Sequence, residues 1–396
     1  MAITNQPDQT TFGRSLKSVL SSTLRPAKQS EKHASPLWSP LQIKIVSVIT
    51  ILNLFGLAMV LSAGSVVASQ EGISEFSYFQ KQLLWVVVGS VVLYLFSKFD
   101  YRNLKPLITP LVMLTYFMLL LLFTPLGIEG GGATRWLALP GGTFQPSELL
   151  KLGVILYTAK HLSDYGEDLT NSRAYWEPIV IFAPAMILLV SQPDYGTMCL
   201  VAFLIATLLF LGGMPLGKFV KISACFAPLV IAGAIAAPYR RQRLLAVFDP
   251  EGDALNAGWQ TLQSLTGISN GGFLGVGPGS SKSKWWTPET HTDFIFTIIA
   301  EEMGLVGSLL VLSLFVTLVV LGVRVAVNAS DKFGYLLSMG IITWFVVQAF
   351  VNIGVAIGRL PNTGLPLPFV SYGGSSLLIG MAATGILVNV AQQRVK

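Results

Sequence analysis

Six ionisable residues fall inside or at the edge of long apolar runs: Glu148, Lys151, Asp194, Asp293, Glu301 and Glu302. In a membrane-spanning segment a charge at mid-bilayer costs about 2.5–3.5 kcal/mol on insertion scales, so each such residue needs a partner or a task. Glu148 and Lys151 are three residues apart, on neighbouring faces of one helix, and can pair. They are either a structural ion pair or the lining of a cavity that sets the ionisation of a catalytic group. Asp293 follows His291 and Thr292 where a long polar segment runs into an apolar one. That position suits a helix cap, since a carboxylate satisfies orphan amides and the helix dipole. Glu289 lies one turn earlier and supplies a second carboxylate, while Glu301 and Glu302 lie deeper, where one is expected to bond to a neighbouring helix.

Basic residues follow the same pattern. Arg135, Arg240, Arg241, Arg243, Lys282 and Lys284 occupy the polar segments on the side of Asp293. Guanidinium forks match phosphate oxygens, so an anionic ligand or an anionic lipid headgroup is implied. The run from Asn270 to Gly279 is glycine-dense but has neither P-loop nor dinucleotide spacing, and reads as a tightly turning wall. His291 is one of three histidines, with no motif that would support zinc; no metal ligand set is expected. Cys199 and Cys225 lie in apolar stretches and read as small core residues. These residues alone describe a polar cavity with a basic rim and carboxylates at its base, which fits a transporter as well as an enzyme acting on an anionic lipid-linked substrate.

The elements that must position these residues are transmembrane helices. Hydrophobic residues make up 52% of the 396 positions and charged ones 12%, about half the charge share of a soluble domain at roughly 25%. Ten spans are predicted, at about 42–67, 82–99, 106–127, 145–162, 177–191, 196–213, 217–237, 293–322, 334–357 and 372–392. The expected fold class is therefore an all-α polytopic membrane protein. Residues 1–40 are polar and rich in Ser, Lys and Pro, which predicts a disordered cytoplasmic tail ahead of an uncleaved first span; residues 41–396 form the transmembrane domain. Placing both termini in the cytoplasm gathers most of the 26 Lys and Arg residues there, as the positive-inside bias requires. The formal charge of +6 is thus a topology signal, and no nucleic acid is implied. Three outward segments, 128–145, 238–292 and 358–371, are too long to be simple connectors. The longest is too apolar for disorder, and Trp259–Ile268 within it reads as a short interfacial helix.

Several ordered segments together resemble the SEDS family of bacterial cell-wall glycosyltransferases, the FtsW/RodA group. They are Gly132-Ala133-Thr134-Arg135-Trp136-Leu137, Gln145-Pro146-Ser147-Glu148 with Lys151, and Gln192-Pro193-Asp194-Tyr195-Gly196-Thr197. The others are Tyr239-Arg240-Arg241-Gln242-Arg243, Pro288-Glu289-Thr290-His291-Thr292-Asp293-Phe294 with Glu301-Glu302-Met303-Gly304, and the run from Thr363 through Ser371 to Ser376. Departures are mild: Asn362, and Trp285-Trp286-Thr287 before Pro288. The resemblance implies a ten-helix fold that polymerises lipid II, an undecaprenyl-pyrophosphate-linked disaccharide peptide, at the outer face of the bacterial cytoplasmic membrane. It also implies work beside a class B penicillin-binding protein transpeptidase and other division proteins. It maps the essential carboxylate to Asp293 and places Glu148 and Lys151 in the same cavity. Arg135, Arg240, Arg243, Gln145, Glu289, His291 and Ser371 become substrate contacts. A divalent cation, Mg or Mn, travelling with the pyrophosphate is the one cofactor this chemistry invites. The Tyr239–Arg243 stretch, Gln260 with Gln263-Ser264, and the Thr290–Phe294 context lean toward the division-type branch. A lipid II flippase and a scaffold for the transpeptidase are the competing readings.

Overall fold

The computed structural model describes residues 38–393, apart from 131, 140–141, 167–172, 253–254, 256 and 288. The expected disordered tail lies outside the described residues up to position 37. Helices α1 (Pro40–Gln70), α2 (Ser77–Lys98) and α3 (Ile108–Leu121, behind a 3-10 turn at Tyr101–Leu107) come first, followed by a small sheet. Helices α4 (Pro146–Asp164), α5 (Arg173–Ser191), α6 (Tyr195–Leu211) and α7 (Leu216–Ala236) follow. Next come α8 (Pro238–Phe248) and α9 (Ala257–Gly271), then α10 (Ile295–Val327), α11 (Lys332–Ala356) and α12 (Gly374–Gln392).

Local chemistry sets several of these boundaries. At α1 the Ser39 Oγ accepts from Gln42 N and the Gln42 side chain accepts from Ser39 N, a reciprocal capping box ahead of Pro40. Asp194 caps α6 through Thr197 N at 3.3 Å, which separates two spans the sequence alone could have merged. Asp331 caps α11 through Gly334 N at 2.7 Å and also takes the Arg102 Nε–H at 2.7 Å, tying the connection before α3 to the start of α11.

Eight of the described helices are long and apolar enough to cross a membrane, and α6 is a shorter apolar helix. Helix α4 is not among the eight; it carries Glu148, Lys151, Lys160 and Asp164. Large apolar side chains such as Leu84, Val87 and Leu95 on α2 and Met113 and Phe117 on α3 point outward, as expected where the surroundings are hydrocarbon. The interior of the bundle is enclosed by α12, α11, α4 and α10, and among the eight α12 is the most deeply enclosed.

Three findings correct the sequence reading. The chain is not wholly helical: β1 (Gly127–Gly130), β2 (Ala133–Leu139) and β3 (Gly142–Phe144) form an antiparallel sheet in the order β1-β2-β3. Glycines at the turns hide the strand signal, with Gly132 and Gly142 at positive φ. The expected helix at Trp259–Ile268 runs longer, from Ala257 to Gly271. Cys225 is exposed on α7 rather than in the core, and Cys199 is partly buried.

The glycine run acquires a structural reason. Helix α10 breaks at Gly304, whose φ of 62° and ψ of −157° interrupt the helical ladder. The run following α9 fills that gap: Val276 N and Gly277 N donate to the Glu301 and Glu302 carbonyls at 2.9 and 3.1 Å, while Leu305 N and Val306 N donate to the Gly272 and Phe273 carbonyls. Backbone freed by the break is thus satisfied by another segment. A Cβ at Gly275 would lie 2.1 Å from the Glu302 carbonyl oxygen, and one at Gly304 would lie 2.4 Å from Gly275 N. Only glycine permits that approach.

Candidate active site

Asp293 lies two residues ahead of α10, where the backbone is held from several directions. Its own N–H donates to the Glu289 carbonyl at 3.0 Å, and Glu289 adopts a left-handed φ of 56°. Three successive carbonyls are then tied down. The His291 carbonyl accepts from Tyr372 N at 2.9 Å, the Thr292 carbonyl from Ser371 Oγ at 2.6 Å, and the Asp293 carbonyl from Asn352 Nδ2 at 2.9 Å. The Asp293 side chain does not cap α10, because the N-cap is Phe294 and no side chain bonds there. Capping therefore plays no part, and the carboxylate is free for chemistry.

The electrostatics around that carboxylate are mixed. Enclosure by protein pushes it up from the usual carboxylate range to about 7, with Glu289 adding to the rise, Arg135 and Arg243 opposing it, and Asp194 adding again. Arg135 projects from β2 and donates to the Pro193 carbonyl. Arg243 projects from α8 and donates to the Asn362 carbonyl at 3.2 Å. Gly364, at φ +73°, leaves open the space that Arg135 and Asp293 both face: a Cβ there would be 3.1 Å from Arg135 Nη1 and 3.8 Å from Asp293 Oδ2. Residues from β2, α8, the approach to α10 and the 358–373 segment thus converge on one partly open carboxylate flanked by guanidinium groups. Such an arrangement can accept a proton and hold a phosphate.

The other expected site residues are distributed around this centre. Glu289 is exposed beside it, its carboxylate accepting from Thr292 Oγ1 at 3.0 Å. His291 packs its buried ring against Tyr78 and Tyr372 at 4.8 and 5.4 Å, and burial lowers its pKa, which keeps it neutral. Ser371 is a backbone strut, also accepting from Leu367 N at 2.8 Å. Gln145 precedes α4, with its N–H on Ser375 Oγ at 3.1 Å. Arg240 is committed elsewhere: its guanidinium donates to the Gly233 and Val190 carbonyls and stacks over Tyr195. Lys284 is not on a basic rim but buried, 2.6 Å from the Gly279 carbonyl and 3.7 Å from Glu302.

Glu148 and Lys151 form a sealed pair. Lys151 Nζ is 2.7 Å from the Glu148 carboxylate, and the side chains are 0% and 2% exposed. Neither is among the groups that shift Asp293. Lys151 instead donates to Gln348 Oε1 at 2.9 Å and lies 5.0 Å from the Trp344 ring centre. The expected tie between Glu302 and a neighbouring helix is present, to Ser62 Oγ on α1 at 2.5 Å. Glu301 pins the 281–283 segment through Ser281 Oγ, Lys282 N and Ser283 N.

Sequence reasoning passed over Gln348 and Asn352, two buried amides one turn apart on α11. The available signal was a pair of polar residues at helical spacing in an otherwise apolar span. Among the described residues no group of three His, Cys, Asp or Glu side chains could hold a metal ion. Positive charge at the site comes from guanidinium groups, to which a cation carried by a pyrophosphate would add.

A bundle of apolar helices around a carboxylate flanked by guanidinium groups defines a multi-pass membrane protein. The FtsW/RodA/SpoVE family, described as cell cycle protein, matches residues 42–396, and the chain belongs to that family. It is 38% identical to a probable peptidoglycan glycosyltransferase FtsW of Geobacter metallireducens, over 86% of this chain and 92% of the relative. It is 35% identical to stage V sporulation protein E of Bacillus subtilis, over 88% and 96%. Among solved structures, a chain of a peptidoglycan synthase complex that coordinates polymerization and crosslinking superposes with a TM-score of 0.73 at 28% identity, over 90% of this chain and 98% of that one. The rod shape determining protein RodA of Thermus thermophilus superposes at 0.67 with 27% identity, over 89% and 97%.

Proposed function

We propose that this protein is a peptidoglycan glycosyltransferase that polymerises lipid II at the outer face of the bacterial cytoplasmic membrane, in the wall of the division septum. In this reading ten helices, α1–α7 and α10–α12, cross the bilayer, α4 among them inside the bundle. Both termini are cytoplasmic, and segment 238–292 with the three-stranded sheet lies outside. The observation that carries it is the placement of Asp293 between Arg135 and Arg243 beside Gly364, in a chain whose relatives bear that activity in their names.

Each residue then has a defined task. Asp293 takes the proton of the acceptor GlcNAc 4-hydroxyl as that oxygen bonds to the donor's anomeric carbon. The bond from that carbon to the pyrophosphate oxygen breaks, and its electron pair leaves with the undecaprenyl pyrophosphate. Arg135 and Arg243 stabilise the charge that develops there. An Asp293 held near 7 is ionised over much of the neutral range while remaining basic enough to take a proton. Glu148 and Lys151 act at one remove as positioning residues, because no contact links them to Asp293 directly. A class B penicillin-binding protein is the partner that would crosslink the product; the synthase complex among the structural relatives joins the same two operations.

Purified protein given lipid II in detergent, with no bilayer to cross, separates the enzyme from a flippase. Glycan polymer is expected from the wild type and none from Asp293→Ala. Absence of polymer from active-folded wild type favours a flippase, and equal polymer from the variant removes Asp293 from the chemistry.

A further inference from the structure

We infer that Asn352 is the positioning residue that sets Asp293 against Arg135, and that Gln348 links this clamp to the buried Lys151–Glu148 pair. The inference rests on the reading of Asp293 as the base. Asn352 is 1% exposed on α11, and its amide nitrogen spends both hydrogens on backbone carbonyls, those of Asp293 and Leu365, each at 2.9 Å. One rigid side chain thereby joins the approach to α10 to the 358–373 segment. Gly364, adjacent to Leu365, borders the space that Arg135 Nη1 and Asp293 Oδ2 both face. Asn352 is thus the one side chain that bonds both the Asp293 carbonyl and the backbone beside Gly364.

Gln348, one turn earlier, has its orientation forced. Its Oε1 accepts from Lys151 Nζ at 2.9 Å and from Trp344 Nε1 at 2.7 Å, so Nε2 must face the Pro366 carbonyl, which it meets at 2.8 Å. An amide cannot reverse while its oxygen holds two donors, because the NH₂ end offers no acceptor. Lys151 and Trp344 together thus aim Gln348 at the Pro366 carbonyl, and Pro366 adjoins the Leu365 carbonyl that Asn352 holds. The buried ion pair reaches the base through two amides and a strand of backbone, without touching substrate.

The test uses the full-length protein in detergent, with lipid II as substrate and initial rate read against concentration and pH. Asn389 is the comparator, an equally buried asparagine that accepts from Tyr101 N at 2.9 Å and donates to the Ser97 carbonyl at 3.0 Å, far from the site. Displacement of a reacting group by about 1 Å can cost about 10²-fold. Asn352→Ala is accordingly expected to lose about 10²-fold in kcat with little change in KM. The acid limb of its pH profile should move to lower pH as water reaches Asp293, with Arg135, Arg243, Glu289 and Asp194 still facing it. Asn389→Ala is expected to lose comparable thermal stability while keeping its kcat and its acid limb. Gln348→Met, which leaves Asn352 in place, should show a smaller kcat loss of the same kind and serves if Asn352→Ala does not fold. Wild-type kcat in Asn352→Ala, or in Gln348→Met when that variant stands in, overturns the inference. So does a loss in Asn352→Ala matched by Asn389→Ala with no movement of the limb. Asp293→Asn in the same series separates the two levels. If it is inactive while Asn352→Ala is normal, only the clamp fails; if it is active, the base reading falls and the clamp with it.

Discussion

At the scale of single residues, a carboxylate enclosed beside a second one carries an energetic cost that function must justify. Asp293 titrates near 7 in the folded protein, against about 3.9 for an unfolded aspartate. The raised value means that its contribution to stability is complete below the unfolded value and is lost as pH rises through about 7. Asp293→Asn is therefore expected to be inactive yet to melt at a higher temperature than the wild type at pH 8. The gap should narrow below pH 7 and close near the unfolded value. A lower melting temperature at pH 8 would show that the carboxylate stabilises the site instead. Lys151 presents the opposite case, a buried charge that is paired. Removing one partner of a buried ion pair costs about 3–5 kcal/mol because the other charge is stranded. Lys151→Met should therefore unfold more readily than the Lys151→Met/Glu148→Gln double variant, in which no charge is left; equal destabilisation would contradict the pairing.

At the scale of elements, α10 is two helical pieces joined at Gly304 and repaired by the glycine run after α9. Gly304→Ala demands a left-handed backbone at alanine and a Cβ 2.4 Å from Gly275 N. It is expected to release the 272–277 segment, seen as faster hydrogen exchange at Val276 and Gly277, and to lower the melting temperature; unchanged exchange would mean that the two segments are not coupled. This part of the fold was not legible in the sequence. The apolar runs announced the spans, because composition is a local signal, while the Asp194 cap that divides α5 from α6 emerged only with the fold. The partner of the glycine run lies beyond the 283–294 segment, and no local pattern points to it. The sheet at 127–144 was missed for a related reason: its strands are short and interrupted by glycines that suit turns. Asp293 looked like a cap because position alone offers capping to any aspartate before a helix. Lys284 looked like a surface charge because nothing in its neighbourhood reveals Glu302 and Gly279 around it.

At the scale of the whole molecule, Asp293, the guanidinium groups that face it and their struts come from segments widely separated in sequence. They meet where β2, α8, the approach to α10 and the 358–373 segment converge, with the Lys151–Glu148 pair sealed inside the bundle and Asp293 left partly open. The interior thus places charge by amides, and the opening leaves one base accessible to a hydroxyl. Motif residues at 132–151, 239–243, 288–304 and 363–376 announced this gathering in the sequence, although not which of them touch. Arg240 and Lys284 bond to backbone carbonyls, and Asn352 meets the Asp293 carbonyl. The central claim is that Asp293 is the base of glycan polymerisation. Its most direct test is the initial rate of lipid II polymerisation by wild type and Asp293→Asn across a pH series in detergent. The wild-type rate is expected to climb as pH rises through about 7, with Asp293→Asn at background throughout. A variant that polymerises at the wild-type rate, with the same rise in pH, would contradict it.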